Sequence, residues 1–211
     1  MKETKERILD SAENLFAESG YQATSLRAIT QKAEVNLASV NYHFGSKEGL
    51  VDEVIRRRLV PLNKLRMQQL QNVFDHASSQ KSNPNAEDIL RAFIEPTITF
   101  LSSSNSLRHF TLLIGRSFAE PDDTVRKIFF SLMEPIFNTM MKGLKLALPN
   151  ITEEVLFWRL HFSLGATSHT LRCIDNCPMT QLFNGKDPAT DAESLIGLLL
   201  PFVTAGMEAP Q

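Results

Sequence analysis

The chain has 211 residues, of which 43% are hydrophobic and 22% are charged, and its formal net charge is −2. This balance is typical of a folded protein with a substantial core and excludes a chain that is disordered along its length. Its apolar runs are too short to span a bilayer and no secretory signal is evident, so we expect a cytoplasmic location and no membrane partner.

The first fifty residues show apolar side chains at helical spacing and predict three short helices. The first ends near Gly20, a natural helix stop. The second covers residues 25–33 with Thr24 as its N-cap, and the third is capped by Asn36 and ends at Gly45. Three such helices around one small core are the arrangement of a helix-turn-helix domain.

A long fourth helix is predicted directly after the third, with Ser46 as its cap and apolar spacing that continues to about Leu70. Pro61 is expected to kink or divide it, because proline lacks the N–H that a helix interior needs. Further helices are predicted at about 87–103, 106–118, 122–148, 152–177 and 190–207. No segment shows sustained alternation of apolar and polar residues, so the predicted fold class is all-α, without a sheet.

The third helix leaves a polar face that suits the reading of DNA. A recognition helix lies in the major groove, where side chains near its start reach the base edges. Asparagine can pair with adenine, serine can donate or accept, and leucine or alanine can contact a thymine methyl group. The base-edge candidates are Leu37, Ala38, Ser39 and Asn41.

A second group of residues suits contact with phosphates, because hydroxyls, helix-start amides and a lysine at a helix N-terminus bind anions without sequence information. These candidates are Thr24, Ser25, Tyr42, His43 and Lys47. The alternatives remain open: simple capping for Thr24, and packing against the first helix for Tyr42 and His43. The charge distribution agrees in sign with a DNA-facing N-terminal end, since residues 1–66 contain 11 Lys and Arg against 9 Asp and Glu.

These N-terminal motifs resemble the TetR family of bacterial transcription regulators. The resemblance rests on residues 8–16, on Gly20 with Tyr21 and Thr24, on Val35 with Tyr42-His43-Phe44, and on Ser46-Lys47-Glu48 before Leu50. Two positions depart from the family pattern. Glu34 stands where the family usually has glycine, and Asn41 stands where it often has an aromatic residue, which bears on the operator that is read.

The resemblance implies a non-enzymatic, homodimeric regulator, a repressor, that binds a double-stranded, palindromic DNA operator. Residues 1–50 would form the helix-turn-helix DNA-binding domain, with a linking helix to about residue 70. Residues 51–211 would form a helical effector-binding and dimerisation domain. Residues 156–162, 199–202 and 205–207 resemble PsrA-type regulators, which implies a small apolar effector, a long-chain fatty acid or its acyl-CoA ester.

One helix of the C-terminal half is apolar on all sides, which indicates either core packing or a deformable apolar pocket. The residues that would line such a pocket are Phe129, Met133, Phe137 and Met140. A ligand carboxylate there would need a cation, since an unpaired buried charge is strongly disfavoured. Arg116 and His169 are the candidates because both have apolar neighbours, although each is also consistent with a surface or interface position.

Two further segments offer more apolar area than one helix pairing needs, and small residues among them allow close helix approach. We therefore expect a dimer interface that contains Trp158, Phe162, Gly165, Leu195, Leu198, Leu199 and Phe202.

Two other classes of function are alternatives to a regulator. His169, Cys173 and Cys177 repeat every fourth position and could indicate metal or redox sensing, but they lack the compact spacing of zinc sites, so neither a metal nor another cofactor is expected. A helical lipid-binding protein that retains the motif is the other alternative. No phosphate loop, nucleophile elbow or metalloprotease motif is present, so no enzymatic activity is expected.

Overall fold

The computed structural model describes the backbone of residues 3–102, 105–173 and 191–210, and the side chains of these residues apart from 101–108 and 172–173. The described residues form nine helices and no strands, so the all-α prediction is confirmed. The helices are α1 (Thr4–Ser19), α2 (Leu26–Ala33), α3 (Leu37–Phe44), α4 (Lys47–Ser79), α5 (Ala86–Ser102), α6 (Asn105–Ser117), α7 (Thr124–Ala147), α8 (Glu153–Cys173) and α9 (Ala192–Glu208).

The predicted ends of the short N-terminal helices are confirmed by local hydrogen bonds. The Asn36 side chain accepts from the backbone N–H of Ser39 at 2.9 Å and caps α3. Ser46 accepts from the N–H of Gly49 at 3.0 Å at the start of α4. Gly20 ends α1 with φ of 86°, a conformation that favours glycine. Each of these bonds joins residues close in sequence, so the sequence alone could specify it.

The cap of α2 was predicted wrongly. Ser25, not Thr24, is the N-cap, and its side chain accepts from the N–H of Ala28 at 3.1 Å. Thr24 is buried, and its hydroxyl donates to the Gly20 carbonyl at 2.7 Å, within reach also of the Leu15 carbonyl at 3.1 Å. Thr24 therefore fixes the turn between α1 and α2.

The turn between α2 and α3 contains the residue that departs from the family pattern. Glu34 has φ of 53° and ψ of 48°, in the left-handed region, where a side chain costs about 1–2 kcal/mol relative to glycine. Its N–H donates to the Gln31 carbonyl at 3.2 Å, and its carbonyl accepts from Arg7 at 3.2 Å. The turn therefore keeps the geometry for which glycine is the usual choice.

Contacts within the chain define two compact units. The first comprises residues 1–61 and 104–133, and the second comprises residues 62–103 and 134–211. The predicted boundary at residue 50 separates a DNA-binding from an effector-binding domain, and it stays a prediction. The compact units have other bounds, because α6 packs on α1 within the first unit. Both α4 and α7 run through a boundary between the units.

The core of the first unit forms where α1, α2 and α3 meet. Ile8, Phe16, Ile29 and Val40 are fully buried there, as is Leu50 in the first turn of α4. Burial of each such side chain contributes about 1.5–3 kcal/mol. These positions follow the helical spacing of apolar side chains in the first fifty residues, and their burial sets how α3 lies on α1 and α2.

The fourth helix is longer than predicted and is continuous through Pro61. It reaches Ser79 instead of ending near Leu70, because the apolar spacing continues through Val73 and Phe74 to the buried Ala77. Pro61 therefore does not divide it.

In the second unit, α9 packs against α5 and α8. The buried side chains there include Ile89, Ile94 and Ile98 of α5, Leu156 of α8, and Leu200, Val203 and Met207 of α9. The predicted bounds of the C-terminal helices agree within two residues wherever the chain is described. Pro121 lies between α6 and α7 and Pro149 between α7 and α8, where proline does not interrupt a helix.

Candidate DNA-binding surface

The third helix presents most of its predicted base-reading side chains to solvent. Val40 is 0% exposed and anchors the helix, whereas Leu37 is 50% exposed, and Ala38 and Asn41 are also exposed. Ser39 is half-buried, and its hydroxyl donates to the Asn36 side chain at 2.9 Å. Leu37 therefore lies on the outer face of α3, as a base-edge candidate must.

Tyr42 and His43, which follow these side chains, were expected either to contact phosphates or to pack against α1. Tyr42 is 86% exposed, so packing against α1 does not account for it. His43 is half-buried, with its ring 5.0 Å from that of Tyr42 and 5.9 Å from that of Phe44. Tyr42 thus has a side chain available at the end of the exposed face, while packing and phosphate contact both remain open for His43.

The phosphate candidates at the start of α2 differ in accessibility. Ser25 is exposed, although its hydroxyl oxygen already caps α2. Thr24 is 3% exposed, so its hydroxyl is not at the surface.

The ammonium group of Lys47 rests on the turn that precedes α2. Its Nζ donates to the Gln22 carbonyl at 3.3 Å and lies 4.5 Å from the centre of the Tyr21 ring. Partial burial lowers the pKa of Lys47, and the nearby carboxylates of Asp122 and Glu120 oppose that shift. Lys47 is therefore a held cation and not a freely solvated one.

Gly49 is a residue of this surface that sequence reasoning missed. A Cβ atom at position 49 would lie 2.2 Å from the Phe44 carbonyl oxygen, and that oxygen also accepts from the N–H of Ser46 at 2.8 Å. The first turn of α4 can approach the end of α3 this closely only without a side chain. The glycine in Ser-Lys-Glu-Gly, directly after a cap, was the available signal.

The predicted effector residues are distributed over both compact units. Met133 is buried and Phe129 half-buried in the first unit, while Met140 is buried and Phe137 half-buried in the second. The two predicted cations, Arg116 of the first unit and His169 of the second, are exposed. Exposure does not support the expectation that they sit in an apolar cavity.

Arg66 is a buried cation that sequence reasoning missed. Its side chain donates to Thr97 at 2.7 Å and to Asn63 at 2.8 Å, among other interactions, and its guanidinium lies 4.2 Å from the centre of the Phe93 ring. Burial lowers its pKa to about 9. The signal was its position four residues from the apolar Leu62 and from Leu70, on the inward face of α4.

The predicted dimer residues lie on α8 and α9, and most of them are accessible. Trp158, Phe162, Leu198 and Phe202 are 49%, 65%, 58% and 68% exposed, Gly165 is exposed and Leu195 is half-buried. Leu199 differs, since it is 7% exposed and belongs to the core of its own chain. A substitution at Leu199 would therefore disturb the fold before it tested an interface.

An open cleft of about 400 Å³ between the α7–α8 turn and residues 208–210 contains none of the predicted effector residues. In the described ranges, no group of three or more potential metal-binding side chains occurs. Cys177 and the side chain of Cys173 lie outside these residues. None of the helices in the described part of the chain combines the length and apolar character that crossing a bilayer requires.

Two models of known families match the sequence. The model described as "Bacterial regulatory proteins, tetR family" matches residues 8–54. The model described as "Tetracyclin repressor-like, C-terminal domain" matches residues 91–206, more than half of the chain.

Individual proteins are similar to parts of the chain or to its fold. The probable HTH-type transcriptional regulator YttP of Bacillus subtilis is 27% identical over 59% of this chain and 55% of its own length. The HTH-type transcriptional repressor KstR2 of Rhodococcus jostii is 47% identical over 23% of this chain and 24% of its own length. The chain thus spans about half of YttP and about a quarter of KstR2 in these matches.

A solved structure extends the likeness over nearly the whole chain. The transcriptional regulator FadR of Bacillus subtilis, in complex with stearoyl-CoA, has a TM-score of 0.63 at 14% identity, covering 95% of this chain and 98% of that one. At this identity the likeness shows a shared fold.

Proposed function

Because this chain belongs to the TetR family of bacterial regulatory proteins, we propose that it is a homodimeric repressor that releases its operator when a long-chain acyl ligand binds. The family membership makes it a DNA-binding transcriptional regulator. The observation that carries the proposal for this chain is the accessible face of α3, which follows a capped turn and rests on the fully buried Val40. An eight-residue helix anchored in this way fits the major groove.

The contacts divide into base reading and phosphate binding. The exposed Leu37, Ala38 and Asn41 would read base edges together with Ser39, since they lie on or beside the accessible face. Ser25, Tyr42, His43 and Lys47 would hold phosphates on either side of that face. Thr24 would contribute its turn geometry, because its hydroxyl is bonded inside the protein.

The two roles predict different effects on binding. Lys47→Ala should weaken binding to specific and random DNA alike and reduce the salt slope of log Kd by about 1, because one phosphate contact is lost. Asn41→Ala should leave random DNA unaffected and relax preference at one base pair, where a bidentate contact is worth about 1–3 kcal/mol. Titrations of DNA from upstream of its own gene, at two salt concentrations, would measure both.

The matched control for Lys47 is Lys64→Ala, which removes the same charge at an exposed position in the second unit. It should leave both affinities unchanged. If Asn41→Ala lowered specific and random binding equally, Asn41 would not read bases.

The exposed aromatic face of α8 and α9 supports dimerisation. Trp158 and Phe162 lie with ring centres 6.0 Å apart, and Phe202 is 68% exposed, so a second copy of the chain would cover apolar area that is otherwise in water.

Phe202→Asp should produce monomers, as measured by light scattering. Leu146→Asp is the control, since Leu146 is also half-exposed but is not a predicted interface residue. A dimer that persisted in Phe202→Asp would contradict this interface.

The proposed effector class rests on similarity and on the apolar interior. FadR of Bacillus subtilis shares the fold and was solved with stearoyl-CoA, and residues 156–162 resemble PsrA-type regulators. In the second unit, the ring centres of Phe137 and Phe93 are 6.3 Å apart, and the Arg66 guanidinium lies over the Phe93 ring. A buried cation thus lies next to a predicted apolar wall, which supports Arg66, beside Arg116 and His169, as a group proposed to face an acyl head group.

Release of DNA tests the effector proposal. Stearoyl-CoA or stearate at micromolar concentration should dissociate the protein–DNA complex, whereas acetyl-CoA and coenzyme A alone should not, because burial of a long chain supplies about 0.8 kcal/mol per CH₂. Only a ligand with different affinities for the two states can shift them. DNA binding that ignores all four compounds would leave the regulator in place and remove the fatty-acid assignment.

A further inference from the structure

A carboxylate on the connection between α6 and α7 joins the operator-binding end of the molecule to the start of α7. The Oδ2 atom of Asp122 accepts from the Gln22 side chain at 2.6 Å, although the two residues are 100 positions apart in sequence. Its Oδ1 atom accepts from the N–H of Thr124 at 2.9 Å, in the first turn of α7. These bonds, with the Thr124 N–H as the main cause, lower the pKa of Asp122, so it is ionised at neutral pH.

The same connection is held in place from several sides within the first unit. Arg126 donates to the Ser117 and Glu120 carbonyls, with the Glu120 bond at 2.7 Å. A Cβ atom on Gly20 would lie 2.2 Å from the Glu120 carboxylate and 3.3 Å from the Arg116 side chain. The connection therefore lies directly against the turn between α1 and α2, and Asp122 reaches Gln22 from a fixed position.

Gln22 in turn supplies the oxygen on which Lys47 rests. The Lys47 ammonium donates to the Gln22 carbonyl at 3.3 Å and lies over the neighbouring Tyr21 ring. Lys47 is a flexible side chain, and a lysine held in one place loses less entropy when it binds a phosphate. The bonds thus run from Asp122 through Gln22 to Lys47.

We propose that Asp122 is a positioning residue for operator binding: it fixes Gln22, and Gln22 holds the Lys47 ammonium in the place where it meets a DNA phosphate. This inference rests on the proposed phosphate contact of Lys47. It assigns a role in DNA binding to a residue that lies within the region matched by the C-terminal family model, far in sequence from the helix-turn-helix.

The proposal predicts a change opposite in sign to that expected from charge alone. Asp122 carries a negative charge near a surface that binds a polyanion, so its neutralisation should strengthen DNA binding if charge were all that mattered. If Asp122 acts by positioning, its neutralisation weakens binding, because Lys47 loses its fixed support. The direction of the change therefore separates the two explanations.

Asp122→Asn provides the test, and Asp123→Asn is the matched control. Asp123 carries the same charge one residue further along, pairs with Lys127 at 3.0 Å, and is not among the partners of Gln22. We expect Asp122→Asn to weaken operator binding by about threefold to tenfold, the effect of one ordinary hydrogen bond, because Asp122 acts on Lys47 only through Gln22. Asp123→Asn should leave it unchanged or slightly tighter. Gln22→Met, which keeps the length and charge of the side chain, should reproduce the loss.

A double-mutant cycle with Lys47→Ala separates this inference from the proposed function. In the Lys47→Ala background, Asp122→Asn should have no further weakening effect, and circular dichroism of each variant should show an intact fold. Tighter binding by Asp122→Asn, or a loss that persists without Lys47, would overturn the positioning role. No effect of Lys47→Ala by itself would instead remove the phosphate contact on which the inference rests.

Discussion

Glu13→Gln is expected to lower the free energy of unfolding by about 2–4 kcal/mol, because it leaves two partly buried arginines without their shared carboxylate. Glu13 is 2% exposed in α1. It accepts from Arg58 through two bonds of 2.9 Å and also accepts from Arg57. Arg57 also donates to Asp10 at 2.8 Å, and this ion pair remains in the variant. The expected loss of stability is therefore smaller than that for an isolated buried ion pair.

The pKa of Arg57 shows that its carboxylate partners stabilise its charge. Burial acts to lower this pKa, yet the Glu13 charge and the bonds to Glu13 and Asp10 raise the pKa overall. The ion pairs therefore outweigh the cost of removing the guanidinium from water. Arg57 is therefore held charged by its partners. Removal of the Glu13 charge leaves the burial cost and takes away the principal interaction that offsets it.

Chemical denaturation would measure the effect, with Glu18→Gln as the control. Glu18 lies on the same helix, but its side chain is 57% exposed and its Lys32 partner is 3.9 Å away, so the control should change stability by less than about 0.5 kcal/mol. Equal stability of Glu13→Gln and Glu18→Gln would show that the buried cluster does not stabilise the first unit.

Gly49→Ala is expected to weaken operator binding at least tenfold, because the new methyl group would collide with the Phe44 carbonyl at the end of α3. The added Cβ atom would lie 2.2 Å from the Phe44 carbonyl oxygen. This oxygen belongs to the backbone, which cannot move aside as the end of a side chain can. The turn between α3 and α4 must open, which shifts the exposed face of α3 relative to the phosphate contacts. The associated loss of stability should be about 1–3 kcal/mol.

The matched control is Gly206→Ala in α9, where a Cβ atom would meet nothing within 4 Å. That change should leave DNA binding unaltered and raise stability by up to about 1 kcal/mol, since alanine favours helix over glycine. Thermal unfolding and operator titration of both variants would show the contrast. Gly49→Ala with unaltered affinity would mean that the α3–α4 turn does not position the recognition helix.

The DNA-binding surface could be predicted largely from the sequence because its defining interactions are local. Asn36 and Ser46 accept from backbone N–H groups three residues away, and the buried Val40 fits the helical spacing of apolar side chains in the first fifty residues. The same reasoning misplaced the cap of α2, where Thr24 and Ser25 are both residue types that cap helices. Only the packing of the Thr24 hydroxyl against the Gly20 carbonyl distinguishes the two.

The effector residues were harder to predict because a helix that is apolar all round does not indicate which side lies inward. Met133 and Met140 are buried as expected, but Arg116 and His169 proved to be exposed despite apolar neighbours in sequence. Leu199 shows the converse case, since α9 has apolar residues on more than one face and only its packing against α5 and α8 shows that this one is internal.

The sequence by itself determined the helical segments, the caps of α3 and α4, the all-α class and the family, since these depend on periodicity and on bonds between residues a few positions apart. Tertiary structure alone decided which charges are buried, at Glu13 and Arg66, and which distant residues meet, as Gln22 and Asp122 do. The physical reason is that burial and pairing depend on the atoms that surround a side chain after packing. Those atoms come from other helices, whose arrangement is not encoded at any single position.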